Sequence, residues 1–205
     1  MEIFKRLGPL SRPAFITAGL LMLVQVCIIG LRRYGLDFIP EWWAAPPAIG
    51  AVVATILGLV TLYSRTYGHA SRLAFASVGM GVTSGILLCV TALWLVLDVL
   101  EGGVMPPLLP KSVQGAVALF MMTFVIALLL SAAACRKTKA TRVIGFLLLV
   151  PVFAWCLILG VALMSTMSDA LKLDFYTNGA IAAAFIAIGF LTRANNNPAN
   201  TLERI

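Results

Sequence analysis

Charge is scarce in this sequence, and it is absent where the chain is most apolar. Only 11% of the 205 residues are charged, against 61% hydrophobic, and the mean hydropathy is +1.01. A soluble domain carries about 25% charged residues, so a chain this apolar has too little polar surface to face water and belongs in lipid. The middles of its apolar runs contain no Asp, Glu, Lys, Arg or His. Ionisable groups at such depth mark proton relays, ion paths and voltage sensors, and their absence speaks against those functions. The single histidine, His69, lies in "YSRTYGHASR", outside the apolar runs, which leaves no intramembrane His, the typical axial ligand of a haem held within a bundle. It also leaves no base beside Ser84 in "GVTSG", so a serine nucleophile there lacks activation. The four cysteines, Cys27, Cys89, Cys135 and Cys156, form no CxxC, and neither a disulfide framework nor a metal site is expected from them. Gly-rich phosphate loops and paired intramembrane carboxylates are missing as well. No catalytic constellation, cofactor site or metal site is expected, and the chain reads as a non-enzyme.

Six apolar stretches are present, at roughly 13–31, 46–63, 73–97, 113–135, 143–167 and 178–192. Each comes near the length that crosses a hydrocarbon core of about 30 Å. In lipid an open strand cannot satisfy its backbone, so all six are expected as helices. The expected fold is an all-α membrane protein with six transmembrane helices and a single transmembrane domain over residues 1–205. The first stretch follows Lys5 and Arg6 but is succeeded by Arg32 and Arg33 without a small-residue cleavage site, so it reads as an uncleaved span.

The cations are distributed unevenly. One side of a six-span arrangement collects Lys5, Arg6, Arg12, Arg65, Arg72, Arg136, Lys137, Lys139, Arg142, Arg193 and Arg204, with only Glu2 and Glu203 as acids. The other side holds Arg32, Arg33, Lys111 and Lys172 against Asp37, Glu41, Asp98, Glu101, Asp169 and Asp174. The excess of basic residues in short loops predicts cytoplasmic termini, in a bacterial or archaeal plasma (inner) membrane. The net charge of +7 is thereby explained without nucleic acid as a partner. The densest cluster, "CRKTKATR" at Cys135–Arg142, faces anionic headgroups in this arrangement.

Phrases recur along the chain. "SRPAFITAG" at Ser11–Gly19 returns as "SRLAFASVG" at Ser71–Gly79, and Thr141-Arg142 precedes the fifth span. Gly-Ala pairs at Gly50, Gly115 and Gly179 open the even spans, and Leu-Asp recurs at Asp37, Asp98 and Asp174. This periodicity predicts three tandem two-helix hairpins, 11–65, 71–136 and 141–193, in a pseudo-threefold arrangement. The three aspartates would then form an acidic ring on the outer face. Small residues at four-residue spacing, namely Gly50, Ala54 and Gly58, then Ser77, Gly81 and Gly85, then Gly179, Ala183 and Ala187, are expected helix-packing faces. Trp42 and Trp43, beside prolines, are the expected interface anchor. Such a chain suits an accessory or scaffolding subunit of a larger membrane complex, with lipids and other membrane subunits as partners. The competing expectation is a small-solute or lipophile carrier, such as the membrane-embedded binding component of an uptake system, with Gln25 and Asp98 near the ligand.

Overall fold

The structure, a computed structural model, describes residues 8–33, 41–102, 111–164 and 167–194. All regular structure among these residues is helical. Helix α1 spans Ser11–Arg33, α2 Ala45–Gly102, α3 Lys111–Arg136, α4 Arg142–Leu147, α5 Leu149–Met164 and α6 Met167–Ala194. Short 3-10 turns at Gly8–Leu10 and Glu41–Ala44 lead into α1 and α2. Five segments are long and apolar enough to cross a membrane: Gly8–Arg32, Ala45–Ser64, Ala70–Trp94, Gly115–Arg136 and Leu173–Thr192. They are the expected first, second, third, fourth and sixth spans. The expected fifth is a shorter apolar helix among the described residues, Arg142–Ile158, interrupted where α4 gives way to α5 at Leu148. Pro151 accounts for the interruption, since it has no N–H to offer the Leu147 carbonyl four residues earlier.

Local chemistry explains the ends. The Ser11 hydroxyl donates to the Gly8 carbonyl at 2.9 Å, tying α1 to its lead-in turn. Pro46 and Pro47 occupy the first turn of α2, where missing N–H groups cost nothing. The 58-residue α2 is two arms, because Ala70 leaves helical geometry (φ −148°, ψ 48°). Inside the spans, hydroxyls bond to their own helix: Thr55 to Ala51 O at 2.7 Å, Thr91 to Leu87 O at 2.7 Å and Thr123 to Phe120 O at 2.9 Å. This removes the penalty of a polar group in lipid without a neighbouring partner.

The helices succeed one another round the bundle, and α6 closes on α1. The α1–α6 seam is antiparallel. A Cβ on Gly19 would lie 2.5 Å from Ile186 Cγ1 and 2.8 Å from the Ala182 carbonyl, and one on Gly189 would lie 2.5 Å from Ile16 Cγ1. Gly30, further along α1, abuts the Phe175 ring. Phe15 and Phe185 meet in the core with ring centroids 6.1 Å apart, and Phe124 links α3 to Trp155 of α5 at 5.9 Å.

The two copies of the repeated phrase sit differently. Phe15 is 0% exposed, whereas Phe75 is 71% exposed. In α1 the buried positions include Phe15, Ala18 and Met22, and in the second arm of α2 they include Ala74, Ser77 and Gly81. The phrases are offset by sixty residues and the buried faces by fifty-nine, a rotation of about 100° round the helix axis.

Candidate functional site

Three contacts define one end of the bundle. Gly8 approaches Ser64 Oγ, Gly189 approaches the Arg12 carbonyl, and Gly145 approaches Arg136. The residues Arg12, Arg72, Arg136, Lys137, Lys139 and Arg142 gather there, and we term it the basic end. Just inside it, the two arms of α2 and α3 enclose a cavity lined by Leu59, Tyr63, Thr66, Ser77, Ser131 and Cys135, among others. Its volume is about 10 Å³, room for one water molecule and for no organic substrate.

The polar lining is tied down. Ser77 Oγ donates to the Ala127 carbonyl at 3.1 Å and is also hydrogen-bonded to Ser131 Oγ. Thr66 donates to the Tyr63 carbonyl at 3.3 Å. The two serines join the second arm of α2 to α3, whereas Thr66 bonds within its own helix; among the described residues no carboxylate or imidazole lines the cavity to activate them. Interhelical hydrogen bonds in membranes contribute about 0.6 kcal/mol on average and up to about 1.7. A double-mutant cycle with Ser77→Ala and Ser131→Ala, read as unfolding free energy in detergent, is expected to give coupling in that range. Additive effects would show that the pair contributes nothing.

Below the cavity the chain makes a tight cationic turn. Thr141 Oγ1 donates to the Cys135 carbonyl at 2.7 Å, the Thr138 and Thr141 hydroxyls bond to each other, and Lys137 N–H reaches the Ala134 carbonyl at 3.2 Å. A Cβ on Gly145 would lie 2.7 Å from the Ala132 carbonyl, so α4 rests directly on the α3 backbone. Arg136 stacks over the Phe146 ring, 4.9 Å from its centroid.

Of the expected acidic ring, Asp174 alone can be placed. It is half-buried near the start of the last span and accepts a hydrogen bond from Asn178 Nδ2 at 2.8 Å. Asp37 and the side chain of Asp98 lie outside the described residues, as do the side chains of His69 and Trp42. Trp43 is half-exposed in the 3-10 turn before α2. Among the described residues no group of three or more His, Cys, Asp or Glu is placed to hold a metal ion.

The expected packing faces divide into two kinds. Gly50 and Gly58 abut Leu21 and Phe15 of α1, and Ala54 between them is buried. A Cβ on Gly81 or Gly85 would lie 3.9 or 3.5 Å from the Ile56 side chain of the neighbouring arm. A Cβ on half-buried Gly179, by contrast, would meet none of the described residues within 4 Å, and Ala183 is exposed; α6 instead buries Ile181, Ala182, Phe185 and Ile188. Spacing did not single out Gly19, Gly145 or Gly189, because none has a small partner four residues away on its contact face. In the interior, Gln25 Oε1 and Ser84 Oγ are buried without a hydrogen-bond partner among the described residues.

The fold defines a polytopic helical bundle of the integral-membrane class. Comparison with protein-family models, with characterised proteins and with solved structures yields no match to this chain.

Proposed function

We propose that the chain is a non-catalytic membrane scaffold, an accessory subunit that docks other membrane proteins through the outer surface of α6. The observation that carries this is the face formed by Gly179 and Ala183. Among the described residues, nothing lies within 4 Å of a Cβ placed on half-buried Gly179, and Ala183 is exposed, in a span otherwise rich in buried contacts. A glycine inside a helix costs about 0.5–1 kcal/mol relative to alanine. In lipid, small residues are rewarded when another backbone approaches closely. In this reading the expected hairpins 11–65, 71–136 and 141–193 would form the platform. With the basic end in the cytoplasm, the termini face inward, as the excess of cations requires.

The Gly179→Leu/Ala183→Leu variant tests the proposal. Its substitutions meet open space, so the isolated chain should keep its elution volume and thermal midpoint. In native membranes, solubilised in mild detergent, the wild-type chain should migrate as a larger complex and the variant at the mass of the chain alone. Equal migration of the two would refute docking through α6.

A further inference from the structure

The cationic turn at the basic end has more order than a charge cluster needs to set topology. Arg136, Lys137, Lys139 and Arg142 are all exposed within seven residues. The turn carrying them is held by the Thr141–Cys135 and Thr138–Thr141 hydrogen bonds and by the seating of Gly145 on the Ala132 carbonyl. No acidic residue occurs anywhere between Glu101 and Asp169, so no nearby carboxylate in sequence neutralises it.

What lies beneath the cations gives the ligand class. Val143, Phe146, Phe153 and Leu157 are all exposed, and their spacing of three, seven and four residues places them on one face running from α4 into α5. Phe146 joins the two regions, because Arg136 lies over its ring. A cationic cap above a continuous apolar strip matches a molecule with an anionic head and a hydrocarbon tail. A free anion or an acidic peptide would use the cap and leave the strip unused.

We propose that the Arg136–Arg142 turn, with the exposed face of Val143, Phe146, Phe153 and Leu157, binds an anionic phospholipid. The ordered turn places four donors at headgroup depth at little entropic cost on binding. The aromatic and aliphatic side chains below line the path of one acyl chain. The site is distinct from the α6 face and does not depend on it.

The full-length chain in neutral detergent is titrated with phosphatidylglycerol, phosphatidylcholine or glycerol phosphate, and bound species are counted by native mass spectrometry. Wild type is expected to retain phosphatidylglycerol over phosphatidylcholine. Lys137→Ala/Lys139→Ala changes two exposed turn side chains and should leave the elution volume unchanged, while lowering apparent affinity for phosphatidylglycerol on the order of tenfold. Phe153→Ala/Leu157→Ala should also weaken retention, which a purely electrostatic site would not show. Equal retention of the two lipids, or unaltered binding by both variants, would overturn the proposal. Effective competition by glycerol phosphate would reassign the turn to small anions. Unaltered lipid binding together with loss of a co-purifying acidic protein from the lysine variant would reassign it to protein docking; either result overturns the lipid site.

Discussion

Gly19→Leu is expected to leave no closed bundle, and Gly19→Ala to survive only at reduced stability. A Cβ at position 19 lies 2.8 Å from the Ala182 carbonyl and 2.5 Å from Ile186 Cγ1. The Ile186 side chain can turn aside, but the carbonyl belongs to the α6 backbone, so relief requires α6 to move away from α1. That displacement loosens the reciprocal contact at Gly189, whose own Cβ would lie 2.5 Å from Ile16 Cγ1 and 3.2 Å from the Arg12 carbonyl, and the Phe15–Phe185 contact between them. Overpacking a well-filled core costs about 1–3 kcal/mol for small insertions, and an alanine here belongs in that range. Leucine adds three further carbons to a seam without room for one. The same letter in the second copy of the phrase gives the control. A Cβ on Gly79 would meet none of the described residues within 4 Å, so Gly79→Ala should be neutral or should stabilise by up to about 1 kcal/mol through helix propensity alone. The measurement is the fraction of each purified variant that stays monodisperse on gel filtration after stepwise heating in detergent. Equal midpoints for Gly19→Ala and Gly79→Ala would mean that the α1–α6 seam does not exist as described.

The contrast between those two glycines shows how far the sequence could be read. Hydropathy and charge located the first two spans to within a few residues, since 13–31 was expected and Ser11–Arg33 is helical, and 46–63 was expected and Ala45–Ser64 is long and apolar enough to span, whereas the expected fifth, 143–167, is a shorter helix. The last span, expected to be short at 178–192, runs from Leu173. It is lengthened by Thr177, which donates to the Leu173 carbonyl at 2.9 Å, and by Asn178, which bonds Asp174. Polar residues that satisfy each other one turn apart extend a helix beyond its apolar run, and hydropathy is blind to that. Pro151 was visible in the sequence, yet the consequence at Leu148 depends on which carbonyl loses its donor.

The face of each helix that turns inward was much less legible. In a helix apolar on all sides, burial is decided by neighbours and not by amphipathicity. The small-residue spacing selected Gly50, Ala54 and Gly58, where α1 does approach, and equally Gly179 and Ala183, where no other described helix comes as close. Single glycines such as Gly19 and Gly189 do their work alone against larger partners, Ile186 and Ile16. A spacing rule cannot find them, since each needs its partner helix to be known. The ordered turn at Thr138–Thr141 was hidden for a related reason: its cations are obvious in sequence, but the threonine bonds that hold them depend on how α3 ends.

Gly145→Leu is expected to be the second most damaging change, and its failure differs in kind from that at Gly19. Here the short α4 helix rests on the end of α3. A Cβ at position 145 would lie 2.7 Å from the Ala132 carbonyl, 2.9 Å from Arg136 Cγ and 3.2 Å from the Arg136 backbone nitrogen. Two of these three atoms are main chain in a helix, so they cannot yield singly, and α4 must lift away as a body. Lifting it stretches the bond from Thr141 to the Cys135 carbonyl, 2.7 Å long, and separates Arg136 from the Phe146 ring. Losing a buried hydrogen bond costs about 0.5–1.5 kcal/mol, added to the 1–3 kcal/mol or so of overpacking. Because α1 and α6 close the bundle elsewhere, the chain should still fold in detergent, with a lowered midpoint. Gly160→Leu, further along the same stretch and with open space within 4 Å, supplies the control and should keep the wild-type midpoint. The disturbed variant should also lose part of its preference for phosphatidylglycerol, since the four cations would no longer sit on a fixed turn. A Gly145→Leu protein with an unchanged midpoint would show that α4 does not rest on the α3 backbone. A lowered midpoint with undiminished lipid preference would show that the cations act as a diffuse charge, independent of the turn that carries them.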